Sequence, residues 1–155
     1  MEIQRCVMGS FTVIGKLGST GDGEGFIGRL WAEAERHFAE VEGLAKRHDG
    51  ELAGTWGLMS DFSGQFLPWE DGLSQGLYLA GVEAEDGSEA PENWTKWVVP
   101  AFEYIYLPVD GEYSEALNAG LRYLKEEQLE LAGAIQEFNC PVEHKMYLFF
   151  PIGRG

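Results

Sequence analysis

The main chemical feature of the sequence is one carboxylate among stretches rich in aromatic residues. Side chains alternate along a strand, so Glu137 shares a strand face with Ile135 and Asn139. The same alternation groups the rings of Phe102, Tyr104 and Tyr106, and those of Tyr147 and Phe149. If these faces converge, they form a site for a delocalised organic cation, because each ring adds about 0.5–2 kcal/mol of cation–π attraction. Ordinary core packing of the rings and a solvated Glu137 are the alternative interpretations.

No other group of side chains has the spacing of a reactive centre. Cys6 and Cys140 are far apart and lack a Cys-x-x-Cys spacing, and His37, His48 and His144 are scattered. Neither a Ser-His-Asp or Cys-His set nor a cofactor fingerprint is recognisable. The sequence therefore predicts no metal and no cofactor, and it favours binding over catalysis.

The charge of the chain limits its partners. Its 155 residues include 26 acidic and 11 basic side chains, for a formal net charge of -15. Such a surface repels phosphate backbones, so no direct contact with nucleic acid is expected. Since no apolar run reaches the roughly 20 residues of a membrane span and no leader pattern is recognisable, we expect a cytoplasmic protein without a membrane partner.

Hydrophobic periodicity divides the chain into short strands and two amphipathic helices. Apolar residues at three- and four-residue spacing predict helices over residues 26–46 and 111–129. Stretches of β-branched and aromatic residues predict strands at 6–17, 55–62, 76–83, 94–107 (interrupted by Pro100), 134–138 and 145–152. The order strand, helix, strand, strand therefore occurs twice.

This repeated order indicates an internal duplication. The stretch that begins at Phe11 resembles the stretch that begins at Phe102, and Met59-Ser-Asp61-Phe62 resembles Ile135-Gln-Glu137-Phe138. We therefore divide the chain into repeat one, at about 6–86, and repeat two, at about 94–153.

The predicted fold class is α+β, with residues 1–155 as a single domain. Two βαββ units with pseudo-twofold symmetry place their two main helices on one face of an antiparallel sheet. A central ligand cleft is expected where the two units meet.

The order and spacing of several motifs resemble the GyrI-like small-molecule-binding domains, which also form the effector-binding part of some AraC-type and MerR-type drug-responsive regulators. The resemblance covers nearly the whole chain and implies two βαββ repeats of the SHS2 type. It rests on Phe11-Thr-Val-Ile-Gly15, Leu30-Trp31, Trp56-Gly57, Tyr78-Leu-Ala-Gly-Val82, Val99-Pro100-Ala-Phe-Glu-Tyr104, Gly111-Glu-Tyr113, Glu137-Phe138-Asn139 and Phe150-Pro-Ile152.

The resemblance implies a ligand site around Glu137. In members that bind drugs, a glutamate on the penultimate strand meets lipophilic cations in an aromatic pocket, and Glu137 stands at the matching position. Glu143 is a rival if the intervening turn is misaligned. The candidate ligand-binding residues are Glu137, Tyr104, Tyr113, Tyr147, Trp56, Trp97 and Tyr78.

The sequence departs from the family pattern at a few positions. The usual Glu-x-Tyr reads Glu137-Phe-Asn139, which is expected to remove one ring or hydroxyl near the acid. The segment 66–72 and the pair Trp94 and Trp97 have no firm family counterpart. We expect this segment and pair to shape a pocket peculiar to this protein.

These features favour a stand-alone binder of lipophilic, often cationic, aromatic compounds, acting as a monomer or weak homodimer in drug sensing or sequestration. The resemblance also implies an alternative, hydrolysis of strained cyclopropane-containing compounds, with Glu137 as general base and Tyr104 or Tyr113 as hydrogen-bond donor. A third possibility is a protein-interaction role such as gyrase inhibition.

Overall fold

The computed structural model describes residues 2–155. The helices are α1 (Phe26–Arg36), the single turn α2 (Glu70–Leu73) and α3 (Tyr113–Glu126), with 3-10 turns at Thr20–Asp22, Phe38–Glu40 and Glu42–Leu44. The strands are β1 (Gln4–Met8), β2 (Phe11–Ser19), β3 (Arg47–His48), β4 (Glu51–Leu52), β5 (Thr55–Ser60), β6 (Leu77–Ala84), β7 (Thr95–Val99), β8 (Phe102–Pro108), β9 (Gln136–Cys140) and β10 (Lys145–Arg154).

Eight of the strands form one antiparallel sheet in the order β1-β8-β10-β9-β5-β6-β2-β7. Repeat one supplies β2, α1, β5 and β6, and repeat two supplies β8, α3, β9 and β10. The strand order of one repeat is the reverse of the other, so a pseudo-twofold axis lies between β5 and β9, where Gly57 pairs with Glu137. The predicted α+β fold with duplicated βαββ units is confirmed.

The sheet is curled because its two edges are tied together by the chain. The edge strand β1 pairs with β8, yet only two residues separate it from β2, which lies near the opposite edge. Three Cα steps span at most about 11 Å. A second link of two residues, Pro100 and Ala101, joins the other edge strand β7 to β8 in the same way. The stretch 6–17, predicted as one strand, is therefore two strands with different partners.

The first helix is shorter than the pattern predicts. α1 ends at Arg36, and the rest of the predicted helix forms the two 3-10 turns. These turns bring the chain down to the sheet, where Val41 is fully buried and Ala45 bridges to Ala84. A continued helix would have carried these apolar residues away from the sheet. No helix among residues 2–155 has the length and apolarity needed to cross a membrane.

Each face of the sheet has its own hydrophobic core. We call the face that packs against α1 and α3 the helix face; its core includes Tyr78, Leu124 and Phe150. The opposite face, here the aromatic face, buries a cluster around Phe11, Trp56, Phe102, Tyr104 and Phe149. Within a regular strand, alternate residues join opposite faces, and β10 departs from this alternation only after its register shift between Pro151 and Gly153.

Candidate functional site

Glu137 is a buried acid on the helix face of β9. Its side chain is only 6% exposed. Register places it beside Gly57 on β5 and Leu148 on β10. This position is at the contact between the two repeats, under the space between α1 and α3.

Two tyrosine hydroxyls bind the Glu137 carboxylate. The Tyr78 hydroxyl donates to Oε1 at 2.6 Å, and the Tyr113 hydroxyl donates to Oε2 at 2.7 Å. The Trp31 indole Nε1 in turn donates to the Tyr78 hydroxyl at 3.0 Å. We call these four residues the carboxylate cluster.

The members of the carboxylate cluster come from four elements in both repeats. Trp31 lies on the sheet-facing side of α1, and Tyr78 lies on β6 and is fully buried. Tyr113 is the first residue of α3, which places its hydroxyl over β9. The cluster therefore forms only when the two repeats are joined.

Gly57 provides the space for this arrangement. A Cβ atom built on Gly57 would overlap the Tyr78 hydroxyl and the Glu137 Oε1 atom. Glycine within a strand often marks a site where another group approaches closely. The absence of a side chain at Gly57 therefore allows the Glu137 carboxylate and the Tyr78 hydroxyl to approach each other.

Burial dominates the electrostatics of the site. It raises the pKa of Glu137, and the bonds from Tyr78 and Tyr113 oppose that rise only in part. Burial, followed by the negative charge of Glu137, raises the pKa of both tyrosines. Among residues 2–155, none of the ion pairs within 4.0 Å includes Glu137. The cluster therefore holds an acid without a cationic partner.

Two cavities lie on either side of the carboxylate cluster on the helix face. Thr55, Gly57 and Met59 share this face of β5, and Thr55 lines the larger cavity while Met59 lines the smaller. The larger cavity, about 340 Å³, is lined by Trp31, Ala34, Glu35, Phe38, Val41, Leu52, Thr55, Gly81, Val82 and Trp94. The smaller cavity, about 120 Å³, is lined by Met59, Trp69, Leu73, Tyr113, Leu117 and Ile135.

The structure brings together only some of the predicted site residues. Glu137, Tyr78 and Tyr113 meet in the carboxylate cluster. The other candidates lie across the sheet on the aromatic face, and they are Trp56, Trp97, Tyr104 and Tyr147. The reason is alternation, since Phe138, next to Glu137, is the residue that pairs with both Trp56 and Tyr147. The expected convergence of the strand faces that carry Tyr104 and Tyr147 on Glu137 does not occur.

On the aromatic face these side chains have structural partners. Trp56 packs against Phe11, Phe138 and Phe149, and its Nε1 donates to Glu83 at 2.9 Å. The ring of Tyr104 lies against those of Phe102 and Phe149, and Trp97 lies against Phe66. A part for any of them in ligand binding stays a prediction.

Tyr147 belongs to a separate, more exposed pair with Glu143. Its hydroxyl donates to Glu143 Oε1 at 2.8 Å, and this bond raises the pKa of Tyr147 to about 12. The rival acid Glu143 thus accepts a hydrogen bond from a tyrosine of the aromatic face, and it does not belong to the carboxylate cluster.

Two residues of the site were not predicted as such. Trp31 enters the prediction only through the Leu30-Trp31 motif, although a tryptophan on the sheet-facing side of an amphipathic helix can carry its N–H into the protein. Gly57 enters it only through the Trp56-Gly57 motif, although a glycine within a strand signals the close approach of another group.

Parts of the sequence without a firm family counterpart, the segment 66–72 and Trp94, lie at the two cavities. Trp69 of the segment 66–72 lines the smaller cavity, together with Leu73, the last residue of α2 and one residue beyond that segment, and Trp94 lines the larger cavity. Trp97 differs because its odd position on β7 turns it toward the aromatic face.

No protein-family model and no curated protein matches this chain. Solved structures do match it. SAV2435 bound to tetraphenylphosphonium gives a TM-score of 0.66 at 16% identity, over 98% of this chain and 94% of that chain. The C-terminal domain of EcmrR gives 0.68 at 13% identity, over 99% and 98%. A hydrolase from Listeria innocua gives 0.57 at 13% identity, over 98% and 92%. These likenesses are likenesses of fold, and they confirm the GyrI-like fold.

Proposed function

We propose that this chain, with its GyrI-like fold, binds small aromatic organic cations in the cleft between α1 and α3. The observation that carries the proposal is the buried Glu137 carboxylate, which has two tyrosine donors and no cationic partner among the described ion pairs. Burial of an ionised carboxylate costs free energy unless an opposite charge or sufficient hydrogen bonds offset it. A bound cation supplies that charge.

The charge of the whole chain favours the same class of ligand. A formal net charge of -15 attracts cations and repels anions. A cation beside Glu137 favours the ionised carboxylate and so opposes the rise in pKa that burial causes. Binding is therefore expected to release a proton whenever Glu137 is protonated in the free protein.

The smaller cavity provides space for an aromatic group next to Glu137. Its volume of about 120 Å³ is close to the roughly 150 Å³ of an apolar cavity known to admit benzene. Glu137 is not one of the residues that line this cavity. Tyr113 lines it and donates to Glu137, so a ring placed there is separated from the acid by Tyr113 alone. Trp69 provides a second aromatic wall.

The walls of the smaller cavity suit ligands that differ in shape. Most are apolar side chains, including the flexible thioether of Met59, which adapts to different surfaces. Such walls select by size and charge more than by directed hydrogen bonds. We therefore infer polyspecific binding, as in drug sensing or sequestration. The structural likeness to SAV2435, which was solved with the lipophilic cation tetraphenylphosphonium, supports this class of ligand.

The test compares a cation with a neutral molecule of similar shape. Tetraphenylphosphonium and triphenylphosphine oxide are titrated into the wild type and into Glu137→Gln, and tryptophan fluorescence reports binding. The cation should bind the variant at least about tenfold more weakly, or about 1.4 kcal/mol. The neutral oxide should change less than about twofold.

A matched control replaces an acid on the other face of the sheet. Glu83 bonds Trp56 and lies outside the carboxylate cluster, so Glu83→Gln should leave cation affinity unchanged. Equal losses for the cation and the oxide in Glu137→Gln, or no cation binding by the wild type, would refute the electrostatic account.

Hydrolysis at the same cluster is the second candidate. It is favoured by the raised pKa of Glu137, which makes its carboxylate a stronger base than an exposed one, and by the tyrosine hydroxyl donors. The likeness to a hydrolase from Listeria innocua supports it. Mass spectrometry of a cyclopropane-containing electrophile after incubation is the test. Turnover that disappears in Glu137→Gln, while binding remains, would establish this activity.

A further inference from the structure

We propose that the larger cavity of repeat one is a second binding site, which takes an uncharged aromatic molecule. It lies between the sheet-facing side of α1, the 3-10 turns that follow α1, and the strands β5 and β6. Glu137, Tyr78 and Tyr113 do not line it, and the indole of Trp31 is its one shared member with the carboxylate cluster. The site is therefore separate from the one proposed for cations.

The size and walls of this cavity suit a ligand of two aromatic rings. Its volume of about 340 Å³ falls within the range of about 300–1,000 Å³ that is typical of small-molecule sites. Three aromatic residues, Trp31, Phe38 and Trp94, form part of the walls. The aliphatic side chains of Val41 and Val82 complete an apolar interior. Removal of apolar ring surface from water is thus the main source of affinity.

The polar groups of the two indoles are already bonded. Trp31 Nε1 donates to the Tyr78 hydroxyl at 3.0 Å, and Trp94 Nε1 donates to Glu40 Oε1 at 2.9 Å. The two tryptophans therefore offer ring surface to a ligand without leaving a buried N–H that a ligand would have to bond.

No buried ionised side chain is among the lining residues of the cavity to pair with a charge on the ligand. The polar side chains among its lining residues are Glu35, which is exposed, and Thr55. An ion pair at an exposed position contributes little. The ammonium of Lys16 already lies 4.1 Å from the ring centre of Trp94. An uncharged ligand avoids the loss of hydration that a cation would suffer here.

The test uses the uncharged fluorophore N-phenyl-1-naphthylamine, whose emission rises in an apolar site. Ala34 is buried on α1 and lines the cavity, so Ala34→Phe places a ring inside it. Ala32 lies on the exposed side of the same helix, which makes Ala32→Phe the matched control. We expect Ala34→Phe to weaken fluorophore binding at least about tenfold and Ala32→Phe to change it less than about twofold.

Cross-measurements separate this proposal from the cation site. Glu137→Gln should leave fluorophore affinity within about twofold, and saturating tetraphenylphosphonium should not displace the fluorophore. Ala34→Phe should still bind tetraphenylphosphonium, which also shows that the variant is folded; Ala34→Leu is the milder variant if it is not. No fluorophore binding by the wild type, unchanged binding in the cavity-filled variant, or displacement by the cation would overturn the proposal.

Discussion

Two buried acids, one in each repeat, have opposite surroundings. Asp61 follows β5 and Glu137 lies in β9, each is followed by phenylalanine, and their exposed fractions are 7% and 6%. Asp61 accepts bonds from Ser60 and Ser63 and from two backbone N–H groups, those of Gln65 and Leu67. All these donors lie within six residues of Asp61. Glu137 has two side-chain donors instead, and both are distant in sequence.

The difference separates an acid whose charge is stabilised within its own loop from the acid that we propose binds the ligand. Burial alone raises the pKa of Asp61, but its hydrogen bonds outweigh burial and lower the pKa below its usual value. For Glu137 the balance is reversed and burial prevails. Asp61 therefore has its charge stabilised by its own loop, whereas the charge of Glu137 would be stabilised further by the proposed cationic ligand.

The largest effect is expected from Asp61→Ala. This change leaves loop donors without their acceptor, and bonds to charged groups contribute more than neutral ones, so we expect a loss of about 3 kcal/mol in the free energy of unfolding. Urea unfolding measures it. Affinity for tetraphenylphosphonium at a temperature where the variant is folded should not change. A loss of affinity matching that of Glu137→Gln would remove the distinction between the two acids.

A smaller effect on stability, with a large effect on binding, is expected from Gly57→Ala. The added methyl group overlaps Tyr78 and Glu137, which forces the carboxylate cluster apart and costs about 1–3 kcal/mol. Cation affinity should fall, as measured by the same fluorescence titration. Gly28→Ala on α1 is the control, because its Cβ meets no atom within 4 Å and alanine stabilises a helix by about 0.5–1 kcal/mol. Normal cation affinity in Gly57→Ala would mean that the cluster is not the site.

The smallest effect is in the pH dependence of stability, where the two acids act in opposite directions. With its raised pKa, Glu137 supports stability fully below about pH 4.5, and this support is lost as pH rises through the folded-state pKa. With its lowered pKa, Asp61 supports stability above about pH 3.8, and this support is lost as pH falls through the folded-state pKa. Urea unfolding over a pH series measures both effects. Toward neutral pH, the free energy of unfolding of Glu137→Gln should decline less than that of the wild type. Toward acid pH, that of Asp61→Asn should decline less than that of the wild type. Identical pH dependences of stability for the two variants would contradict the opposite pKa shifts of Glu137 and Asp61.

Much of the fold follows from local patterns. Strand alternation, the spacing of apolar residues and the repeated element order suffice for the two βαββ units. The end of α1 was missed because the helical pattern continues through Phe38 and Val41, which instead reach the sheet through 3-10 turns. That choice depends on the contact between Ala45 and Ala84, which is tertiary.

The candidate site was predicted in part for a similar reason. Alternation predicts which residues of one strand share a face, but not which faces of different strands coincide. Tyr104 and Glu137 lie on opposite faces because of the register that connects β8, β10 and β9. Tyr113 reaches Glu137 from the start of a helix, which no strand pattern describes.

The two short links of the curled sheet have a consequence for folding kinetics. β1 and β10, the neighbours of β8, come from opposite ends of the sequence. In repeat one, β2 likewise pairs with β7, which the chain forms only after repeat one has ended. Neither repeat can complete its own half of the sheet from its own strands, so each would expose an unpaired edge if it folded first. A high proportion of contacts between distant residues slows folding. The chain is therefore expected to fold slowly and as one cooperative unit, and a nascent chain that ends before β8 leaves β1 without its partner.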